Sequence, residues 1–155
     1  MKNPLKSDAS VSLGLLLARL PIGAFFLIAG YDKLREGVNK FVAFASQSAT
    51  IPQWVPPGYT DTYLHVVPFL EVAIGAMLLL GLLTRLGALI GGLMVVSYVV
   101  GLTHLHGNTP SDQALPFHPN LIYLGLLLAL LFVGPGRFSL DGVLFGKKKH
   151  KPAAQ

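Results

Sequence analysis

The chain has 155 residues, the length of one ordinary domain, and its charged share of 12% is about half that of a typical soluble protein. It contains no cysteine, which excludes disulfides, thiolate metal sites and any thiol relay within the chain. The net charge of +5 includes the lysine run KKKHK near the C-terminus. That run reads as a membrane-adjacent cluster facing anionic lipid, and no basic, aromatic-interleaved surface for nucleic acid accompanies it.

Apolar residues make up 52% of the chain and concentrate in four stretches. A bilayer core about 30 Å thick needs roughly 20 apolar residues per helix. The first candidate span covers about residues 11–31. Its apolar run exceeds the usual 7–15 residues of a signal peptide and no A-x-A-like site follows, so a retained helix is expected. The loop after it contains DKLREGVNKFVAFASQS, in which Leu34, Val38, Phe41, Val42 and Ala45 recur at helical spacing. This predicts a short amphipathic helix at the interface. IPQWVPPGYT follows, where prolines block regular structure and Trp54 and Tyr59 suit the headgroup level.

The second and third spans are expected at about 63–83 and 86–103, and a leucine-rich fourth at about 117–133. Residues 134–155 then form a basic tail. The fold class is therefore all-α: a polytopic four-helix membrane bundle, one domain over 1–155, with the bilayer as its first partner. With four spans both termini share a side. That side collects Lys2, Lys6, Arg85, Arg137 and the C-terminal lysines, whereas the other holds Lys33, Arg35 and Lys40. The positive-inside rule places both termini in the cytoplasm.

Two ionisable residues fall deep inside spans, Arg19 in the first and Glu71 in the second. Each costs about 2.5–3.5 kcal/mol or more at the bilayer centre if left alone. Arg19 lies roughly 12 Å from the inner end of its span and Glu71 about as far from the outer end of its own. An Arg19–Glu71 pair near the midplane is the expectation. The Arg19 face continues through Gly23, Phe26, Gly30 and Lys33, and the Glu71 face through Gly75, Leu78, Leu82 and Arg85. Glycines beside the charges allow close helix approach. Pro21 removes one backbone donor and is expected to leave room around the pair. Tyr98 on the third helix and Tyr123 on the fourth, which also offers Asn120 near its outer end, are placed so that the two tyrosines converge on the same interior. The pair serves either to lock helix register or to form a site for a polar ligand, a quinone headgroup or a proton step.

His65, His104, His106 and His118 gather on the outer side near Asp112. His104 and His106 stand about 200° apart around a helix and have no metal-site spacing, so interfacial or proton-handling roles are favoured over metal or haem. No metal or flavin motif, phosphate loop or nucleophile triad is present.

Arg19…Gly23…Gly30-x-x-Lys33, Glu71-x-x-x-Gly75 leading into LLLGLLTRLGAL, and GPGRFSLDGVL after the last helix together resemble the DoxX family of small bacterial membrane proteins. The likeness covers about residues 11–145. It implies a four-helix membrane domain in the bacterial inner membrane. The family is similar to the DoxD subunit of thiosulfate:quinone oxidoreductase, and other members are associated with membrane redox or oxidative-stress complexes. The related MauE is linked to disulfide chemistry, which a cysteine-free chain does not perform itself. What the resemblance implies is a subunit of a quinone-linked oxidoreductase. In that reading Arg19 and Glu71 act chemically, and Arg19, Glu71, Tyr98, Tyr123 and Lys33 contact the quinone. A partner subunit carries the electron-donor site, and homo-oligomerisation stays open. The alternatives are a non-catalytic anchor or assembly protein of a redox complex and, less favoured, a small-solute transporter.

Overall fold

The computed structural model describes residues 8–47, 55–105 and 119–144, and within them every regular element is a helix. The order is α1 (Asp8–Glu36), α2 (Val38–Gln47), α3 (Pro57–Leu80), α4 (Thr84–Leu105), α5 (Pro119–Val133) and α6 (Leu140–Leu144). The four long helices coincide with the four apolar stretches. The first is longer than expected, running through Leu34 to the Gly37 break, where φ is +105°. α2 occupies the position that the apolar spacing predicts, beginning at Val38. α6 was not foreseen: the described start of the basic tail, residues 134–144, forms a turn and a short helix.

α1 and α3 are long and apolar enough to cross a membrane, while α4 and α5 are apolar over the shorter described stretches Thr84–Val99 and Asn120–Val133. Both faces of these helices are apolar. Leu17, Ile28, Phe69, Leu93 and Phe132 point outward, while Ile22, Phe26, Ile74, Leu78, Val95, Leu127 and Leu130 form one shared core. Helices apolar all round belong in a large core or in lipid.

α1 packs most extensively on α3, and α4 on α5, with a slimmer contact between α3 and α4. Glycines set the α1–α3 register. A Cβ on Gly75 would lie 2.5 Å from the Leu27 nitrogen, and one on Gly30 would lie 2.7 Å from the Pro68 carbonyl and 2.8 Å from the Glu71 Cβ. Backbones this close require glycine at the crossing. α2 lies against α3 through a smaller cluster of Val42, Ala45 and Leu64.

Pro57 opens α3 at a position that needs no backbone donor. Gly81 closes it in the left-handed region at φ +67°, with Leu82 N donating to Met77 O at 3.0 Å. This is a Schellman-type stop. α4 begins three residues later.

Candidate functional site

The register separates the two buried charges. Gly30 lies level with Glu71, Gly23 faces Leu79, and Gly75 faces Leu27. Arg19 therefore falls near the α3–α4 turn, about 16 Å along α1 from the level of Glu71 at 1.5 Å per residue. The expected Arg19–Glu71 pair does not form. Its premise, equal depth judged from span ends, fails because α1 extends well past its apolar run and the glycine contacts fix a different alignment.

The partner of Glu71 is Lys33. Lys33 Nζ donates to Glu71 Oε1 at 2.5 Å and to Oε2 at 2.6 Å. Tyr98 OH donates to the same Oε1 at 2.7 Å. Glu71 is 1% exposed, whereas the Lys33 side chain keeps 25% of its surface. The carboxylate thus accepts three hydrogen bonds from two donor groups, an ammonium and a hydroxyl, in a buried setting, and the cation retains a route to the outside. The Phe41 ring of α2 lies 5.1 Å from Lys33 Nζ and shields it by a cation–π contact. Lys33 reaches Glu71 because one helical turn beyond Gly30 brings its side chain back over the crossing point. The sequence carried that signal, since the α1 face holding Gly30 ends on Lys33.

Two further hydroxyls adjoin this cluster. Tyr63 OH and Ser97 Oγ are 2.5 Å apart, and Ser97 Oγ donates to Met94 O at 2.7 Å. Ser97 thereby accepts from Tyr63. Tyr63 is within electrostatic reach of both Glu71 and Tyr98. Neither Tyr63 nor Ser97 stood out in the sequence, because a tyrosine near a span end and a serine in an apolar helix are common. Tyr123 is placed elsewhere: it stacks on Phe25 with centroids 4.6 Å apart.

Arg19 belongs to a second assembly at the other end. It is 1% exposed and donates from one terminal nitrogen to Pro135 O at 3.0 Å and from the other to Phe138 O at 2.7 Å. These carbonyls belong to GPGRFSLDGVL, so this motif wraps the guanidinium. Asp141, whose charge Arg19 also feels, accepts from Leu83 N at 2.7 Å and Thr84 N at 2.8 Å. Its carboxylate caps α4 from another element, at the positive end of the helix. Leu83 is held at φ +49° by this contact. Asp141 N donates to Gly81 O at 2.9 Å, and Arg137 N donates to Ser12 Oγ at 3.1 Å. α1, the α3–α4 turn and the tail are stitched around one arginine. A Cβ on Gly81 would lie 2.5 Å from an Arg19 terminal nitrogen, so glycine there serves both the turn and the arginine.

Of the outer histidines, His65 donates through Nδ1–H to Asp61 O at 2.8 Å, within its own helix. The side chain of His104, and all of His106 and His118, lie outside the described residues, as do Trp54 and Asp112. Among the described residues no three His, Cys, Asp or Glu side chains come together as a metal site.

Long helices that are apolar on every face, with buried charges compensated inside the bundle, define an integral membrane protein. The chain belongs to the DoxX family, whose model matches residues 14–104. It is 30% identical over 138 residues to the inner membrane protein YqjF of Escherichia coli (strain K12), covering 85% of this chain and 92% of that relative. No solved structure matches the chain.

Proposed function

We propose that this protein is a multi-pass inner-membrane subunit of a quinone-linked redox complex, with Lys33, Glu71 and Tyr98 as its ligand-binding residues. In this reading α1, α3, α4 and α5 all span, both termini are cytoplasmic, and the Arg19 assembly lies at the cytoplasmic end. The inner-membrane location of the E. coli relative and the distribution of lysine and arginine support that placement.

The observation that carries the reading is a fully buried carboxylate held by a lysine that is itself partly open. Intramembrane ionisable groups mark ligand or proton sites more often than not. The chemistry of the set fits a quinone: the Lys33 ammonium and the Tyr98 hydroxyl are donors for a carbonyl oxygen, and Glu71 accepts from a hydroxyl. A bound quinone supplies the two-electron, two-proton couple, with the electron donor on a partner subunit. Lys33 would orient the headgroup, Glu71 would hold a proton and pass it to the reduced ring oxygen, and the apolar core below would exclude water. Arg19 is assigned to the architecture, because both of its terminal nitrogens hold the tail.

The test is titration of purified protein in lipid nanodiscs with decyl-benzoquinone. Saturable binding is expected, weakened at least tenfold in Glu71→Gln and Lys33→Met. Absence of saturable binding to the wild type sinks the proposal.

A non-catalytic anchor is the second reading, favoured by the fact that both Glu71 oxygens already accept hydrogen bonds from within the chain. It predicts that Lys33→Met combined with Glu71→Leu leaves an associated complex assembled and active.

A further inference from the structure

α3 and α4 meet differently at their two ends. Near the Gly81 turn the contact is made by small residues: a Cβ on Gly87 would lie 3.3 Å from Met77 Cβ, and one on Gly91 would lie 3.2 Å from Ile74 Cγ2. Toward the far end, among the described side chains, Tyr63 of α3 meets Ser97 of α4 and Tyr98 of α4 meets Glu71 of α3 through their hydroxyls. This interface is also slimmer than that between α1 and α3 or between α4 and α5.

Ser97 lies at its rim. The residue is exposed, next to outward-facing Val96 and one turn from outward-facing Leu93. A hydroxyl on such a face of a membrane helix needs an acceptor of its own, which Met94 O provides. It offers its lone pair to Tyr63 OH, and the next residue on α4, Tyr98, reaches Glu71. The exposed Tyr63–Ser97 bond thus stands beside the buried Glu71 with its partners Tyr98 and Lys33.

We infer that Tyr63 and Ser97 form the lateral entrance of the Glu71 site, through which a lipid-soluble ligand with a carbonyl-bearing ring headgroup enters between α3 and α4. Tyr63 is the binding residue of the entrance. Its hydroxyl is held by Ser97 and is transferred to a ligand carbonyl on entry. Ser97 competes with the ligand for that hydroxyl. The inference rests on the quinone reading above and deepens it by naming a further binding residue and the route.

The two halves of this hydrogen bond must then respond in opposite directions. With decyl-benzoquinone as probe in nanodiscs, Tyr63→Phe removes the donor and is expected to weaken binding about 5- to 10-fold. Ser97→Ala frees the donor and is expected to tighten binding about 3-fold. A bond that only ties α3 to α4 predicts the same direction and similar size for both variants, together with matched losses in thermal midpoint. Matched losses, or no change in affinity in either variant, overturn the entrance while Glu71→Gln still weakening binding leaves the site itself standing. No saturable binding to the wild type overturns the site and the entrance together. Photo-crosslinking with an azido-benzoquinone gives the position directly: adducts on α3 and α4 around Tyr63 and Ser97 are expected, and adducts confined to other helices refute the route.

Discussion

Replacing Lys33 by methionine isolates the energetic role of the Glu71 cluster. The side chains are similar in volume, so packing changes little, but the two shortest hydrogen bonds to Glu71 disappear. The carboxylate, 1% exposed, keeps only Tyr98 OH. Stripping one partner from a buried ion pair costs about 3–5 kcal/mol. The lower end applies here, about 3 kcal/mol, since Lys33 is partly hydrated and Tyr98 remains as a donor. At roughly 2–4 °C per kcal/mol for a chain of this size, the thermal midpoint falls by about 6–12 °C. Removing both charges with Lys33→Met and Glu71→Leu eliminates the unpaired carboxylate, and a paired apolar exchange of this kind is often neutral or stabilising. The double variant is therefore expected to recover most of the loss, a coupling of at least about 1 kcal/mol in a double-mutant cycle. The assay is thermal unfolding in nanodiscs followed by fluorescence-detected gel filtration. A double variant no more stable than Lys33→Met alone refutes the pairing.

Further expectations concern the other end of the bundle and the helix crossings. Arg19→Met leaves the Pro135 and Phe138 carbonyls without their donor; at about 1–3 kcal/mol for each buried unsatisfied group, limited proteolysis should cut the tail after Gly134 well before the helices. Asp141→Ala removes the cap of α4 and should cost about 0.5–2 kcal/mol, read as a lower thermal midpoint with affinity for decyl-benzoquinone unchanged. Gly75→Ala places a Cβ 2.5 Å from the Leu27 backbone nitrogen and should sharply reduce the yield of folded protein. Gly125→Ala, with nothing within 4 Å of the added carbon, should be neutral or stabilise by up to about 1 kcal/mol through helix propensity.

The helices were legible because lipid and core make the same demand on a sequence. Apolar runs marked α1, α3, α4 and α5, and the spacing Val38, Phe41, Val42, Ala45 marked α2. The interior polar residues were also marked, since Arg19 and Glu71 stand out against apolar neighbours. Their partners were not. Pairing depends on which glycine of α1 meets which residue of α3, and one heptad of slippage exchanges Arg19 for Lys33 as the nearest cation to Glu71. Composition is nearly indifferent to such a slip in helices apolar on all faces, so depth counted from span ends had nothing to correct it. The backbone carbonyls that receive Arg19 carry no side-chain signature at all. Asp141 was visible as a residue of the terminal motif, yet capping a helix 57 positions away follows only from the fold.

The separation of the two charges also assigns them different physical tasks. Arg19 is permanently charged and bound by neutral carbonyls, with its planar fork spread over two acceptors of one loop. Exchanging or titrating it would release the tail, which suits a fastener. Glu71 and Lys33 are both titratable groups, they hold each other through short bonds, and one of them keeps a quarter of its surface open. A ligand that offers an acceptor to Lys33 can replace part of what Glu71 provides. The same exchange at Arg19 would have to break three elements apart. On the reading proposed above, ligand chemistry belongs to the Lys33–Glu71 end of α1, while the terminal motif wrapped around Arg19 ties α1 to the tail and the tail to the α3–α4 turn.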